Sequence, residues 1–191
     1  MNVYNALNED KGQISNKLYN CSMAIKYLHN KIISNQEIRR LMYYNTKSPL
    51  SNRSISYDST KIDQADVTEE QVKNVITDFP FSPEMDLDKK SKIYINLPTA
   101  NFNNGSELFA YIHIIIPIDY YHIDLGYRPF EIAQRIASEI DCKYLDGKYG
   151  DMGNGLEFKV LNVYTERLTK KQSYIWTSIK CKLDQVPIDR R

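Results

Sequence analysis

Residues 108–118 read LFAYIHIIIPI, an almost unbroken apolar run rich in β-branched and aromatic side chains. A strand with so little polar alternation has no face to give to water, so it is covered on both sides. A turn signal follows at Leu125-Gly126, and Arg128-Pro129 then opens an amphipathic helix that runs to Ile140. Pro is suited to the first helical turn, where its missing N–H costs nothing. A covered strand followed at once by a helix predicts an α+β fold with the helix lying across a sheet.

The chain of 191 residues is long enough for one domain with a substantial core. Its 42% hydrophobic and 26% charged residues are ordinary globular values. A net charge of +1 argues against a bulk polyelectrolyte partner, which would call for a basic excess. Three widely spaced cysteines, Cys21, Cys142 and Cys181, fit reduced thiols rather than a disulfide framework. The first residues, MNVYNALNEDKG, lack the apolar stretch of a signal peptide, and the longest apolar run is too short to cross a bilayer, so no membrane role is expected. The richness in Asn, Ile, Lys and Tyr (15 Tyr) is the usage of an AT-rich genome.

The rest of the chain supplies the other layers. A loose polar tail over residues 1–13 precedes a helix whose stripe is Ile14, Leu18, Cys21, Ile25, Leu28 and Ile32. Ser34-Asn35-Gln36-Glu37 has the pattern of a capping box and starts a second helix that buries Ile38, Leu41 and Met42, giving an N-terminal helical hairpin. Residues 51–92 form an extended loop or arm. Within it, Thr68-Glu69-Glu70-Gln71 caps a short helix of about three turns carrying Val72, Val75 and Ile76. IYINLP, from Ile93, pairs with the apolar run across the turn NFNNGS, and Pro117 marks an edge or a bulge. The helix from Pro129 presents Phe130, Ala133, Ile136, Ala137 and Ile140. Strands 156–168 and 173–183 close the chain as a hairpin around a Thr169–Gln172 turn, with Trp176 in the core. The expected fold is a single α+β domain, 1–191: an antiparallel sheet of about four strands, a central helix packed on it, and the helical hairpin.

Two constellations bear on chemistry. Glu157-Phe158-Lys159, with Asp146 and Asp151 upstream, has the outline of a Mg²⁺-dependent nuclease of the restriction-enzyme type, with carboxylates on the metal and Lys on the developing charge. Glu-x-Lys is common by chance, however, and on a hairpin these two simply share the polar face. His122-Ile123-Asp124, with Asp119 and His113 near in sequence, lacks a further ligand at metal-binding spacing and reads as a solvent-facing strand end. No nucleophile elbow, P-loop, zinc box or dinucleotide fingerprint is present, so catalytic residues, cofactors and metals are all assigned as none. Tyrosines at element ends, Tyr120-Tyr121 and Tyr43-Tyr44, suit protein interfaces, since Tyr offers rigid area with a polar tip.

In element order and local phrasing the chain resembles the neck proteins of tailed bacteriophages, especially tail-terminator (tail-completion) proteins. The pieces that carry the resemblance are residues 24–51 (AIKYLHNKIISNQEIRRLMYYNTKSPLS), the strands IYINLP and LFAYIHIIIPI, the helix RPFEIAQRIASEID and the hairpin from Leu156. The resemblance implies a virion location and a non-enzymatic subunit of a homo-oligomeric ring, commonly a hexamer. Such a ring would cap the tail tube and join it to a head-tail connector or stopper, with DNA only as cargo through its lumen. It supplies no functional residue one by one. The ring contacts expected from the residues themselves are Tyr120 and Tyr121 at the strand end and Lys170 and Lys171 at the hairpin tip.

Overall fold

The computed structural model describes residues 21–50, 65–78, 88–97, 100–101, 107–144, 155–167 and 173–186. The N-terminal tail, Ile14 and Leu18, most of the 51–66 loop, the NFNNGS turn, Asp146, Asp151, Lys170 and Lys171 lie outside the described residues.

Two helices come first, α1 over residues 21–34 and α2 (Gln36–Tyr43), with only Asn35 between them. The cap of α2 is Asn35, one residue later than the sequence pattern suggests. Its side-chain oxygen accepts from the Ile38 N–H at 3.0 Å, while the Ser34 hydroxyl donates back to the Lys31 carbonyl and finishes α1 instead. Ile38, Leu41 and Met42 are buried as expected. The buried face of α1 is Ala24, Tyr27, Leu28, Ile32 and Ile33, whereas Cys21 and Ile25 are only half-buried. The helix turns so that the Tyr27 ring stacks on Phe158, centroids 5.8 Å apart.

The next helix, α3 (Glu69–Val72), is a single turn, not three. Its capping box is present: the Thr68 N–H donates to Gln71 Oε1 at 2.8 Å. Beyond Val72 the chain turns and becomes strand β1 (Ile76–Thr77), which pairs parallel with β2 (Lys92–Asn96). Ile76 is β-branched and fully buried there, so the sheet edge recruits a residue that helical spacing had placed on α3.

The apolar run is β4 (Glu107–Pro117), with β3 (Ala100–Asn101) beside its start. It is followed by a short ribbon, β5 (His122–Ile123) and β6 (Gly126–Tyr127), then α4 (Arg128–Ile140) and β7 (Lys143–Tyr144). The chain's long hairpin is β8 (Gly155–Arg167) and β9 (Tyr174–Val186). The main sheet runs β1-β2-β4-β9-β8-β7, and all its pairings except β1 with β2 are antiparallel. Ile93 lies opposite Ile114 and Ile112 opposite Ile179, so alternate residues of three strands make one continuous isoleucine layer. The helix α4 packs across β4, β8 and β9 on that side. Pro117 sits at the last position of β4, past the point where β2 stops at Ile115, so its missing N–H breaks no ladder.

The buried stripe of α4 is Pro129, Ile132, Ala133, Ile136 and Ile140, and Phe130 is exposed. Phe130 therefore does not belong to the core face, and Ile132, one turn before Ile136, replaces it. On the other side of the sheet a small second cluster, Tyr94, Ile115 and Tyr174 with half-buried Trp176, covers part of β4. Trp176 thus borders this cluster instead of entering the main core.

Candidate functional site

At the end of β4 the chain leaves the sheet and builds a knuckle. Ile118–Tyr120 makes a 3₁₀ turn, held to the hairpin by the Ile118 N–H donating to the Ser173 carbonyl at 2.8 Å. The β5–β6 ribbon closes through Asp124-Leu125. Gly126 at φ +127° takes a backbone conformation that a side chain would strain. Ile123 is the ribbon's buried anchor. Asp124 fastens the ribbon to the loop after α2: its N–H donates to the Lys47 carbonyl at 2.8 Å, and its carboxylate accepts from the Ser48 hydroxyl.

Aromatic rings collect on this knuckle. Tyr121 lies 5.0 Å from Tyr127 and 5.1 Å from His122, His122 lies 5.1 Å from Tyr127, and Tyr127 lies 6.1 Å from Phe130. Ile118, Leu125, Tyr127 and Phe130 are exposed, Leu125 by 56%. Water-facing aromatic and aliphatic groups packed edge to edge form a surface that gains from being covered.

Beneath the knuckle sits Arg128, fully buried at the start of α4. Its Nε donates to the Tyr120 carbonyl at 2.8 Å. Nη1 donates to the Leu41 and Tyr44 carbonyls and Nη2 to that of Thr46, each at 2.6 Å. Leu41 and Tyr44 lie at the C-terminal end of α2, where unpaired carbonyls and the helix dipole favour a cation. Burial pushes the guanidinium down to about 10, still charged at neutral pH, and the nearby Tyr120 works in the opposite direction. One side chain thus ties the end of α2, the following loop and the 3₁₀ turn together.

The sequence-derived contacts stand differently. Tyr120 is half-buried against the main core and contributes its carbonyl to Arg128. Tyr121 is half-buried within the aromatic cluster. Lys170 and Lys171 are outside the described residues. His122, Leu125, Tyr127 and Phe130 make most of the surface. Their signal was a cluster of aromatic and aliphatic residues through a turn, at a spacing that no core stripe requires.

A second surface lies on β8. Its partner β7 covers only Glu157 and Phe158, and among the described residues no strand pairs with the outer edge of β8 beyond them. Leu161, Val163 and Tyr164 are exposed along this strand, Val163 on the helix-bearing side of the sheet opposite Ile179 and Tyr164 on the helix-free side against Trp176. A bulge between Val160 and Asn162 leaves Leu161 without a partner on β9.

The remaining candidates resolve into structure. Glu157 and Lys159 lie on the helix-free sheet face, 3.8 Å apart as an ion pair with each other. His113 is on that face also, away from His122. Its Nδ1 accepts from Trp176 Nε1 at 3.0 Å and from the Ser178 hydroxyl at 3.1 Å, which places the proton of the neutral ring on Nε2. Burial pushes the imidazole down to about 4. Cys181 is buried and its thiol is pushed up to about 12, first by burial and then by Asp141, whereas Cys142 is exposed. Among the described residues no group of three His, Cys, Asp or Glu side chains converges, and no helix is long and apolar enough to cross a membrane.

These features describe an α+β fold with its helices on one sheet face and apolar side chains exposed at the knuckle and along β8. By sequence the chain belongs to the YomW family, whose profile matches residues 35–180. No curated relative matches. Among solved structures a chain of "Virion of native gene transfer agent (GTA) particle" is similar, with TM-score 0.33, 12% identity, and coverage of 58% of this chain and 78% of that one.

Proposed function

We propose that this chain is a non-enzymatic structural subunit of a bacteriophage virion. It takes its place in the neck as a homo-oligomeric ring, a hexamer, that terminates the tail tube and joins it to the head connector or stopper, with DNA as cargo through the lumen. Membership of a phage-related family supports the virion role. The observation that carries the ring is the presence of two different exposed apolar surfaces on one small domain. A closed heterologous ring needs two non-identical patches on each subunit. Glu157 and Lys159 form an ion pair on one sheet face, an arrangement that alternation along a hairpin produces without any catalytic role.

The test has two arms. The purified chain is weighed by mass photometry and imaged by negative stain across a range of concentrations. Antibody against the chain is then applied to intact particles from the phage that encodes it. Rings, and label at the head–tail junction, are the expected results. A protein that stays monomeric at high concentration and is missing from purified particles would overturn the proposal, and Mg²⁺-dependent cleavage of DNA lost in Glu157→Ala would replace it with the nuclease.

A further inference from the structure

We propose that His113, Trp176 and Ser178 form an acid-released latch on the helix-free face of the sheet. A proton taken up on His113 Nδ1 frees the Trp176 indole and opens the aromatic layer of that face, while the isoleucine layer on the other face holds. The latch belongs to the single chain and does not rest on the proposed ring.

The register of the strands places the parts. Tyr94, His113, Ser178 and Tyr164 lie opposite one another across β2, β4, β9 and β8, and Lys92, Ile115, Trp176 and Glu166 make the next row. Rings cover these rows. His113 lies 5.4 Å from Trp176 and 6.1 Å from Tyr111, and Trp176 lies 5.9 Å from Tyr164. Among them Ser178 is fully buried and His113 is only 6% exposed, although α4 packs on the other face. That other face is built of isoleucines such as Ile93, Ile112, Ile114 and Ile179, which take up no proton.

The chemistry turns on one lone pair. Nδ1 accepts from the Trp176 Nε1–H at 3.0 Å and from the Ser178 hydroxyl at 3.1 Å. A proton on Nδ1 uses that lone pair and makes the atom a donor. The two partners then differ. The Ser178 hydroxyl turns and accepts from the imidazolium, since a hydroxyl does either. The indole N–H only donates, so it is left facing another N–H, and Trp176 is the group that leaves. Tyr164 then loses the ring it packs against edge to face. The other titratable or charged groups around the imidazole are Lys92 and Tyr94 on β2, Tyr111 on β4, Lys180 on β9, and Tyr164 and Glu166 on β8. Lys92 is paired with Asp88, and Lys180 lies over the Phe109 and Tyr111 rings. Burial holds the closed imidazole at about 4 against an ordinary 6.5, so strong acid favours the open form by up to about 300-fold. The latch is therefore shut above pH 6.5 and opens as pH falls towards 4.

Trp176 is the chain's one tryptophan, so the intrinsic fluorescence of the full chain reads the latch directly. As pH is lowered from about 7 to about 4, the emission is expected to move reversibly to longer wavelength and acrylamide quenching to rise, with far-UV circular dichroism unchanged. His113→Gln keeps an acceptor and does not titrate, so its emission is expected to stay at the neutral position throughout. A second measurement needs no substitution. NMR of the imidazole nitrogens is expected to show a bare Nδ1 on His113 at neutral pH, and its protonation should follow the fluorescence change. A wild-type emission that does not move, a shift that tracks loss of the far-UV signal, or an Nδ1 already protonated at neutral pH would each overturn the latch. So would a shift that survives in His113→Gln, which would assign the effect to Glu166 opposite Trp176.

Discussion

Arg128 carries a charge into the protein with no carboxylate among its bonded partners, and four backbone carbonyls take the place of one. Arg128→Met keeps much of the volume and removes every donor, leaving buried carbonyls unpaired. Each hydrogen bond to a charged group is worth about 1.5–3 kcal/mol, so the variant is expected to lose about 3 kcal/mol or more, read by urea denaturation. Arg128→Lys, with one ammonium in place of a fork, should recover only part of this. His113 offers a pH test. Its folded pKa of about 4 lies below the ordinary 6.5, so the unfolded chain takes up a proton that the folded one refuses. Its contribution is therefore complete above pH 6.5 and is lost as pH falls towards 4, by at most about 3 kcal/mol. His113→Phe is expected to flatten that pH dependence and to cost about 1–2 kcal/mol at pH 7, because Trp176 and Ser178 lose their acceptor. A slope unchanged by the substitution would place the acid sensitivity on other groups. Neither role is legible from sequence: Arg128 reads as a helix opener and His113 as one polar residue in an apolar strand, and only the fold brings their partners, up to 87 residues away, into reach.

The elements that periodicity defines most strongly are the ones the structure returns with shifted ends, the 93–100 strand shortening to Lys92–Asn96. Leu108–Ile118 as a covered strand, the 93–100 partner, the helix to Ile140 and the closing hairpin all have local patterns that tertiary contacts reinforce. Short elements depart from the pattern because their fate is settled by neighbours. Val75 and Ile76 fit a helical stripe, yet the bare edge of β2 draws Ile76 into a parallel pair. Phe130 fits an apolar stripe at the start of α4, yet it is left in water and Ile132 takes the buried place. The candidate surface was legible in part. Tyr121 lies within it, but Tyr120 turns back to the core and the larger share, Leu125 to Phe130, follows from how the ribbon folds. That ribbon depends on Gly126. Nothing lies within 4 Å of an added Cβ, so Gly126→Ala meets no clash, only the positive φ. The expected cost is about 1 kcal/mol, confined to the ribbon. Amide exchange should quicken at residues 122–127 while the β4–β9 amides stay protected. Loss of protection across the sheet would mean that the ribbon supports the core and is not an appendage of it.

For the whole molecule, the forces available to each surface distinguish two forms of assembly. If Lys170 and Lys171 at the hairpin connection supply the main contact, assembly is electrostatic, and raising salt from about 0.1 M to 1 M shortens the screening length from about 10 Å to 3 Å and dissolves it. If the knuckle and the β8 flank supply it, the driving force is removal of apolar side chains from water. That force strengthens modestly on warming from cold, carries a negative heat-capacity change, and is insensitive to simple salt. The exposed apolar groups lie on the described strands and ribbon, so the second form is expected. Sedimentation velocity at low and high NaCl should then show the same particle, and isothermal dilution at several temperatures should give a dissociation heat that rises steadily as the sample warms. Binding of subunits to one another also stabilises the fold by mass action, so the melting temperature should climb with protein concentration in both salts. Dissociation to monomers at high salt, with a melting temperature independent of concentration, would move the contact from the apolar surfaces to the lysines of the hairpin tip.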